Sequence, residues 1–309
     1  LKRPRKIIFA ISMKEKPQAE MEAVLVTGSE GFIGKALMRR LQAQGIPCYG
    51  VDIRQGFDLA SPGAIAALPP FKVAIHLAAR TFVPDSWKDP YAFFHTNVNT
   101  TLNLLEACRL HKAKMVLASS YVYGIPRELP IAEDHPTAAL NPYAYSKLSA
   151  EFLCRGYAQA SGIPLLILRP FNVYGPGQDS RFLIASIIGQ WKTGRVSLQD
   201  PAPRRDYLFV DDMVEAYLKS VQLDFEGIDI VNIGSGTSYS VKEITDKLAE
   251  MLPGKVEISF SGVLRKNEIP ETCADIGKAQ SLLHWTPRVS IEEGLRKSIE
   301  AAYNDESYP

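Results

Sequence analysis

Short apolar runs rich in branched side chains alternate with longer stretches of helical periodicity through the first half of the chain. Ala23-Val-Leu-Val-Thr27, Cys48-Tyr-Gly-Val-Asp52, Val73 to Leu77, Met115 to Ser119 and Leu165 to Leu168 read as buried strands. Between them, apolar positions recur at helical spacing over Ile33 to Gln44, about Tyr91 to Leu110, and Ala144 to Ala160. This alternation predicts an α/β fold built on a doubly wound parallel sheet. After Pro170 the texture changes: Gly175-Pro-Gly177, Pro201-Ala-Pro203 and Pro253-Gly254 punctuate shorter elements, as expected of a smaller, mainly C-terminal α/β domain. The run Asp229-Ile-Val-Asn-Ile233 again reads as a buried strand, followed by helices near Ser240 to Met251 and Ile291 to Tyr303. The expected division is therefore 21–171 and 172–309, with 206–235 returning to the first domain.

With 309 residues, 46% of them hydrophobic, the chain can bury a large core. Its formal net charge of +1 supplies no broad field for nucleic acid or an anionic membrane, so an anionic ligand must be met locally. Cys48, Cys108, Cys154 and Cys273 are dispersed and form no CxxC pair, which argues against a zinc site or disulfide framework and for a reducing cytoplasm. The basic start Lys2 to Lys6 precedes only five apolar residues, too few for a signal core or membrane span. Residues 1–20 read as a leader, and Met21, two residues before the first strand, as a natural start.

Thr27-Gly28-Ser-Glu-Gly31-Phe-Ile-Gly34 follows a strand and opens a helix, with glycines placed for a tight turn and close backbone approach to a pyrophosphate. A plain strand-to-helix turn is the competing reading. Asp52 ends the next strand, where a carboxylate accepts the adenosine ribose hydroxyls and repels a 2′-phosphate; this favours NAD, while Arg54 keeps NADP as an alternative. Asp58-Leu59 reads either as an adenine contact or as a solvent-facing acid and its neighbour.

Tyr143 and Lys147 lie four apart on a predicted helix and so share a face. A tyrosine with a pKa of about 10 is a poor base near neutrality, and a neighbouring ammonium improves it by favouring the phenolate. Ser119 and Ser120 end a strand at the carboxyl edge of the predicted sheet, where a hydroxyl can hold a substrate oxygen beside Tyr143. Tyr145 lies off that face. His76 sits in an apolar run and reads as a core histidine. Trp87, Trp191 and Trp285 read first as packing, with a sugar-bordering role as a second reading for the Trp87 loop.

These residues carry a resemblance that covers essentially Met21 to Ser298: the chain resembles an extended short-chain dehydrogenase/reductase of the nucleotide-sugar epimerase/dehydratase group. The resemblance rests on the glycine loop at 27–34, His76-Leu-Ala-Ala79, Asn97-Val-x-x-Thr, Ser119-Ser-Tyr-Val-Tyr-Gly124, Asn141-Pro-Tyr-x-x-x-Lys147, Arg169-Pro-Phe-Asn-Val-Tyr-Gly-Pro-Gly177, Arg205-Asp-Tyr and Asn232-Ile-Gly-Ser-Gly236. It implies a Rossmann-type sheet binding NAD, a nucleotide-diphosphate sugar as substrate, and a homodimer formed by the helix near Tyr91 to Leu110 and the helix bearing Tyr143, with Leu104, Leu105 and Phe152 available for the interface. Ser119, five residues before Gly124, matches the family's catalytic Ser/Thr, with Tyr143 as acid/base and Lys147 as its partner. Gly28, Gly31, Phe32, Ile33, Gly34, Asp52, Ile53, Asp58, Leu59, Leu77, Ala78, Ala79, Asn97 and Pro170 fall in the stretches that match cofactor contacts. Ser119, Ser120, Asn172, Arg205, Arg265 and Glu268 match substrate contacts, the arginines and Asn172 at the diphosphate and Glu268 at the nucleotide ribose. No metal is implied.

Within the group, 4,6-dehydratases carry carboxylates directly after the catalytic Ser/Thr, and Ser120 and Tyr121 depart from that pattern. Epimerase and ketoreductase remain. Asp52 and the Ser119 to Gly124 segment favour an NAD-dependent 4-epimerase. Arg265-Lys-Asn-Glu-Ile-Pro270 and the short stretch between Asp52 and Val73 resemble GDP-ketosugar reductases instead. A catalytically silent NAD-binding regulator is the remote alternative, disfavoured because Tyr143 and Lys147 are both present.

Overall fold

The computed structural model describes residues 23–264 and 267–304; the leader expected at 1–20, Met21 and Arg265 lie outside the described residues. In chain order the elements are β1 (Val24–Thr27), α1 (Phe32–Ala43), β2 (Cys48–Val51), β3 (Val73–His76), α2 (Val83–Lys88), α3 (Pro90–His111), β4 (Lys114–Ala118), α4 (Pro142–Ser161), β5 (Leu165–Pro170) and β6 (Asn172–Tyr174). They continue with α5 (Leu183–Trp191), β7 (Arg195–Leu198), β8 (Arg204–Phe209), α6 (Val210–Gln222), β9 (Ile228–Ile233), β10 (Ser238–Ser240), α7 (Val241–Met251), β11 (Glu257–Phe260), α8 (Gly277–Leu283) and α9 (Ile291–Asn304).

Six strands form one parallel sheet in the order β2-β1-β3-β4-β5-β9. Alternate residues face opposite sides, as the two-residue period of a strand requires. Val24, Val26, Ile75, Val116, Leu166 and Leu168 pack on one face with α1 and α6. Leu25, Ala74, Met115, Leu117, Leu165 and Ile167 pack on the other with α3 and α4. Both faces are covered, which is why these strands read as continuous apolar runs. Leu104 and Leu105 are fully buried in the second layer, so they serve their own core and not a surface between subunits; Phe152, at 80% exposure, stays on the outside of α4.

The smaller lobe holds a three-stranded sheet, β10-β8-β6, and a two-stranded one, β11-β7. Of the stretch 206–235, most of β8 lies in the three-stranded sheet, whereas β9 adds to the large sheet beside β5. Asp206 on β8 is buried, and its carboxylate accepts from Ser235 N, Ser235 Oγ, Gly236 N and Ala274 N at 2.6 to 3.0 Å. The Gly234-Ser-Gly236 turn thus wraps a carboxylate, tying the lobe to the end of β9.

Because the strands of the large sheet run the same way, the loops after β1, β2, β3, β4 and β5 collect along its carboxyl edge. The chain moves outward from β1 to β2 and then crosses to β3 on the other side of β1, so the order reverses there; such a reversal opens a crevice for a ligand.

Candidate active site

The first wall of that crevice is the turn between β1 and α1. Gly28 adopts φ +72°, and a Cβ there would stand 2.7 Å from Ala78 N; at Gly34 a Cβ would stand 2.1 Å from Gly28 O. Side chains are therefore excluded where the turn meets the β3 loop and where α1 begins. Gly31 caps α1 without a side-chain hydrogen bond, leaving the helix N-terminus, with Phe32 and Ile33 half-buried behind it, to an acceptor from elsewhere. Asp52 is buried at 8% exposure, with one oxygen accepting Glu30 N at 3.0 Å and the other Arg54 N at 2.8 Å. A carboxylate offers about four lone-pair positions, so acceptor capacity remains for a diol. A glycine cradle, an uncapped helix start and this carboxylate together fit a dinucleotide.

Several sequence expectations change here. Asp58 is exposed and closes its own turn by accepting Ala60 N at 2.9 Å, while Leu59, at 4% exposure, packs its side chain into the core. Ile53, 66% exposed, stands at the rim beside Asp52. Asn97 spends its side chain on protein: Oδ1 accepts Arg80 N at 2.8 Å, and Nδ2 donates to Arg80 O at 3.1 Å and to Ser146 Oγ at 2.8 Å. It fixes the loop after Leu77, Ala78 and Ala79 to α4 and does not reach outward. His76 bridges Thr27 Oγ1 at 2.7 Å and Thr101 Oγ1 at 3.0 Å; burial, then Lys147, hold its pKa down at about 3, so it is a neutral core residue.

The same wall continues at the start of α4. Asn141 caps the helix by accepting Ala144 N at 2.8 Å, and Pro142 occupies the first helical position, where its missing N–H costs nothing. Asn-Pro-Tyr is therefore a capping device that sets Tyr143 in the first turn, edge-on to the Phe93 ring at 6.3 Å. Lys147 follows one turn later, 5% exposed, with Nζ donating to Ala118 O at 2.5 Å.

Ser119 and Ser120 then part. Ser119 N continues the ladder of β4 by donating to Leu168 O at 2.8 Å, and its Oγ turns inward to Glu151 Oε1 at 2.5 Å. Ser120, half-buried, lies close enough to Tyr143 to favour its ionised form. Burial raises the Tyr143 pKa, and Ser120 opposes that rise. Ser119, which the count back from Gly124 matches to the catalytic position, is thus engaged with Glu151, while Ser120 is the hydroxyl that acts on Tyr143. Behind Ser119 lies a pair that sequence reading did not single out, Glu151 with Arg169, 2.6 Å apart and both side chains at most 4% exposed. The signals were available in Lys147-x-x-x-Glu151 at helical spacing and in a lone arginine ending the apolar run Leu165 to Leu168.

Across the crevice, Pro170 ends β5 and Asn172 begins β6, its Nδ2 donating to Asp206 O at 3.2 Å. Arg205 and Glu268 are brought together as partners of each other: the guanidinium donates to Glu268 Oε1 and, at 2.7 Å, to Ile269 O. Both were expected to face a ligand separately. Among the aromatic residues, Trp191 and Trp285 are buried and donate to Pro253 O and Asp212 O, each at 2.9 Å, whereas Trp87 is 53% exposed on α2.

Residues 24–234 match the model of the family described as "NAD dependent epimerase/dehydratase family". Over 89% of its length the chain is 33% identical to a GDP-6-deoxy-D-mannose reductase of Pseudomonas aeruginosa, covering 95% of that protein. Over 89% of its length it is 31% identical to a UDP-glucose 4-epimerase of Mycolicibacterium smegmatis, covering 97% of it. The fold superposes on a solved structure of MoeE5 in complex with UDP-glucose and NAD with a TM-score of 0.86 and 33% identity, over 91% of this chain and 99% of the other. No described helix is long and apolar enough to cross a membrane. With the glycine turn, the buried Asp52 and the Ser120, Tyr143 and Lys147 group along one sheet edge, the chain belongs to the NAD dependent epimerase/dehydratase family, enzymes of the extended short-chain dehydrogenase/reductase kind.

Proposed function

We propose that the chain is an NAD-dependent nucleotide-sugar 4-epimerase acting through a transient 4-ketosugar. The observation that carries this reading is the contact between Ser120 and Tyr143, one turn from Lys147, on the sheet edge that also carries the glycine turn and Asp52. Gly28, Gly31 and Gly34, with the N–H groups of Phe32 and Ile33, hold the pyrophosphate of NAD, and Asp52 takes its adenosine ribose. Leu77, Ala78, Ala79 and Pro170 border it, and Lys147 reaches the nicotinamide ribose. Bound there, NAD supplies reversible hydride acceptance from the sugar C4. Tyr143 Oη takes the C4 hydroxyl proton while Ser120 Oγ holds the same oxygen, and the Lys147 ammonium favours the phenolate. Once the ketosugar presents its other face, Tyr143 returns the proton and C4 is inverted.

On the opposite wall Asn172 and Arg205 hold the diphosphate, which the family match also assigns to Arg265, and Glu268 the nucleotide ribose; Arg205 exchanges its bond to Glu268 for the phosphate oxygens as the substrate enters. Residues 21–171 then serve the cofactor and 172–309 mainly the sugar nucleotide, with α6 and β9 returning to the first sheet. Two copies pair through the outer faces of α3 and α4, which expose Tyr91 on α3 and, around a depression of about 390 Å³ on α4, Tyr145 and Phe152; a monomer in sedimentation would remove that pairing. The cytoplasm suits the four free thiols.

A second reading, a 4-ketosugar reductase using NAD(P)H, is favoured by Arg54. Its guanidinium, donating to Glu30 O at 2.5 Å, stands close to where a cationic donor to a 2′-phosphate is needed. Chromatography of what the purified protein releases on denaturation separates the two. Near-stoichiometric NAD+, with turnover of a nucleotide sugar that needs no added cofactor, is the epimerase outcome. An empty protein that consumes NADPH with a 4-ketosugar is the reductase outcome and overturns the first reading.

A further inference from the structure

Lys147 and Glu151 lie one turn apart on α4, 5% and 2% exposed. They dock on consecutive residues at the end of β4: Lys147 Nζ on Ala118 O and Glu151 Oε1 on Ser119 Oγ, each at 2.5 Å. From β5, Arg169 grips the same carboxylate at two points, Nε to Oε1 at 2.9 Å and Nη2 to Oε2 at 2.6 Å. Arg169 in turn donates to Tyr123 Oη at 3.0 Å and to Glu133 O at 3.4 Å, lies over the Tyr123 ring at 4.9 Å, and Tyr123 donates to Asn232 Oδ1 on β9 at 2.6 Å. A buried ion pair of this kind is weak evidence of stabilisation, since packed apolar side chains commonly replace one without loss. Its neighbour suggests another purpose.

We propose that Glu151, fixed by Arg169 and Ser119, is a positioning residue that holds Lys147 in its ammonium form and sets the β4 end that presents Ser120 to Tyr143. Burial draws the Lys147 pKa down to about 8, and Glu151 is the foremost influence opposing it. The other titratable groups around the ammonium supply no negative charge at neutral pH. His76 from β3 is neutral. On α4 itself, Tyr143 and Cys154 both keep their protons because burial raises them; Cys108 from α3 faces Cys154 and Tyr217 from α6 faces Tyr143, and both are raised likewise. Arg169 from β5 is a cation spent on Glu151. Among the described residues around Lys147, Glu151 therefore carries the charge that keeps the lysine protonated in a buried site.

What the ammonium is for rests on the sugar-oxidation reading above, whereas its protonation can be measured alone. Titration of isotope-labelled lysine by nuclear magnetic resonance, with Lys147→Met to assign the signal, reads the group directly. In Glu151→Gln the Lys147 titration is expected to move down by about one pH unit or more, and the alkaline limb of turnover to move with it. Because that variant leaves Arg169 unpaired and can unfold the protein, Glu151→Leu with Arg169→Met removes both charges. It is expected to fold and to show a smaller downward shift, since Glu151 is the nearer charge. A folded variant in which Lys147 titrates where the wild type does overturns the proposal. Absence of nucleotide-sugar turnover in the wild type would overturn the functional reading and leave the titration unaffected.

Discussion

The two walls of the crevice are built by different means. On the cofactor side Gly28 and Gly34 are placed by one strand-to-helix turn, Tyr143 by its Asn141-Pro142 cap, and Lys147 by one helical turn, all through neighbours in sequence. On the nucleotide side Arg205 and Glu268 stand 63 residues apart and hold each other, and Asn172 leans on the backbone of Asp206. A wall made of local geometry is preorganised before any ligand arrives. One made of mutually paired charges must exchange partners on binding, so binding there is offset by the pair it opens. The comparison teaches where each kind of substitution should act: on chemistry and cofactor retention at the first wall, on substrate affinity at the second.

The largest effect is expected from Tyr143→Phe, which should lower kcat by about 10²- to 10⁴-fold while the protein still carries cofactor. Unchanged turnover would dissolve the distinction between the walls. Gly34→Ala comes next: a methyl group 2.1 Å from Gly28 O forces the turn apart, so cofactor content after purification should fall to a small fraction and the melting temperature should drop. Retained cofactor would mean that the turn is not the cradle. The serines sharpen the comparison within one wall. Ser120→Ala should cut kcat by roughly 10- to 100-fold with little loss of stability. Ser119→Ala should cost about 1–3 kcal/mol in denaturant unfolding, because it removes a bond to a buried carboxylate, and should cost turnover less than Ser120→Ala does. The reverse order would restore Ser119 to the substrate.

At the second wall, Arg205→Met should raise KM for the nucleotide sugar by about tenfold or more with kcat and cofactor content nearly unchanged; a kcat effect as large as that of Ser120→Ala would contradict the division of labour. The smallest expected effect is confined to acid. His76 sits near 3 in the fold against 6.5 unfolded, so the unfolded chain takes up its proton first. The stability this contributes is present above pH 6.5 and is lost as pH falls toward 3. His76→Gln should flatten that part of the stability curve, and an unchanged acid limb would count against a neutral histidine here.

Much of this was legible in the chain. The strands of the large sheet, the capped helix bearing Tyr143, the glycine turn and the acid after β2 all follow from local periodicity and turn chemistry, because each is decided within a few residues. What the sequence left open shares one cause: it depends on which side of an element a residue faces. Ser119 and Ser120 are equal candidates in sequence, and only their places on the β4 end send one to Glu151 and the other to Tyr143. Leu104 and Leu105 were equally apolar whether they faced a partner or the sheet, and they face the sheet. That Asp58 closes its own turn and Asn97 tethers the Arg80 loop is likewise visible only in the folded chain.

By itself, then, the sequence determined the parallel architecture, the dinucleotide turn and the Tyr143 and Lys147 pair, all products of short-range geometry. The tertiary structure alone decided which serine is presented, the Glu151 and Arg169 pair beneath it, and the pairing of Arg205 with Glu268. Those arrangements join segments far apart in the chain, and their partners are chosen by the three-dimensional packing that buries them.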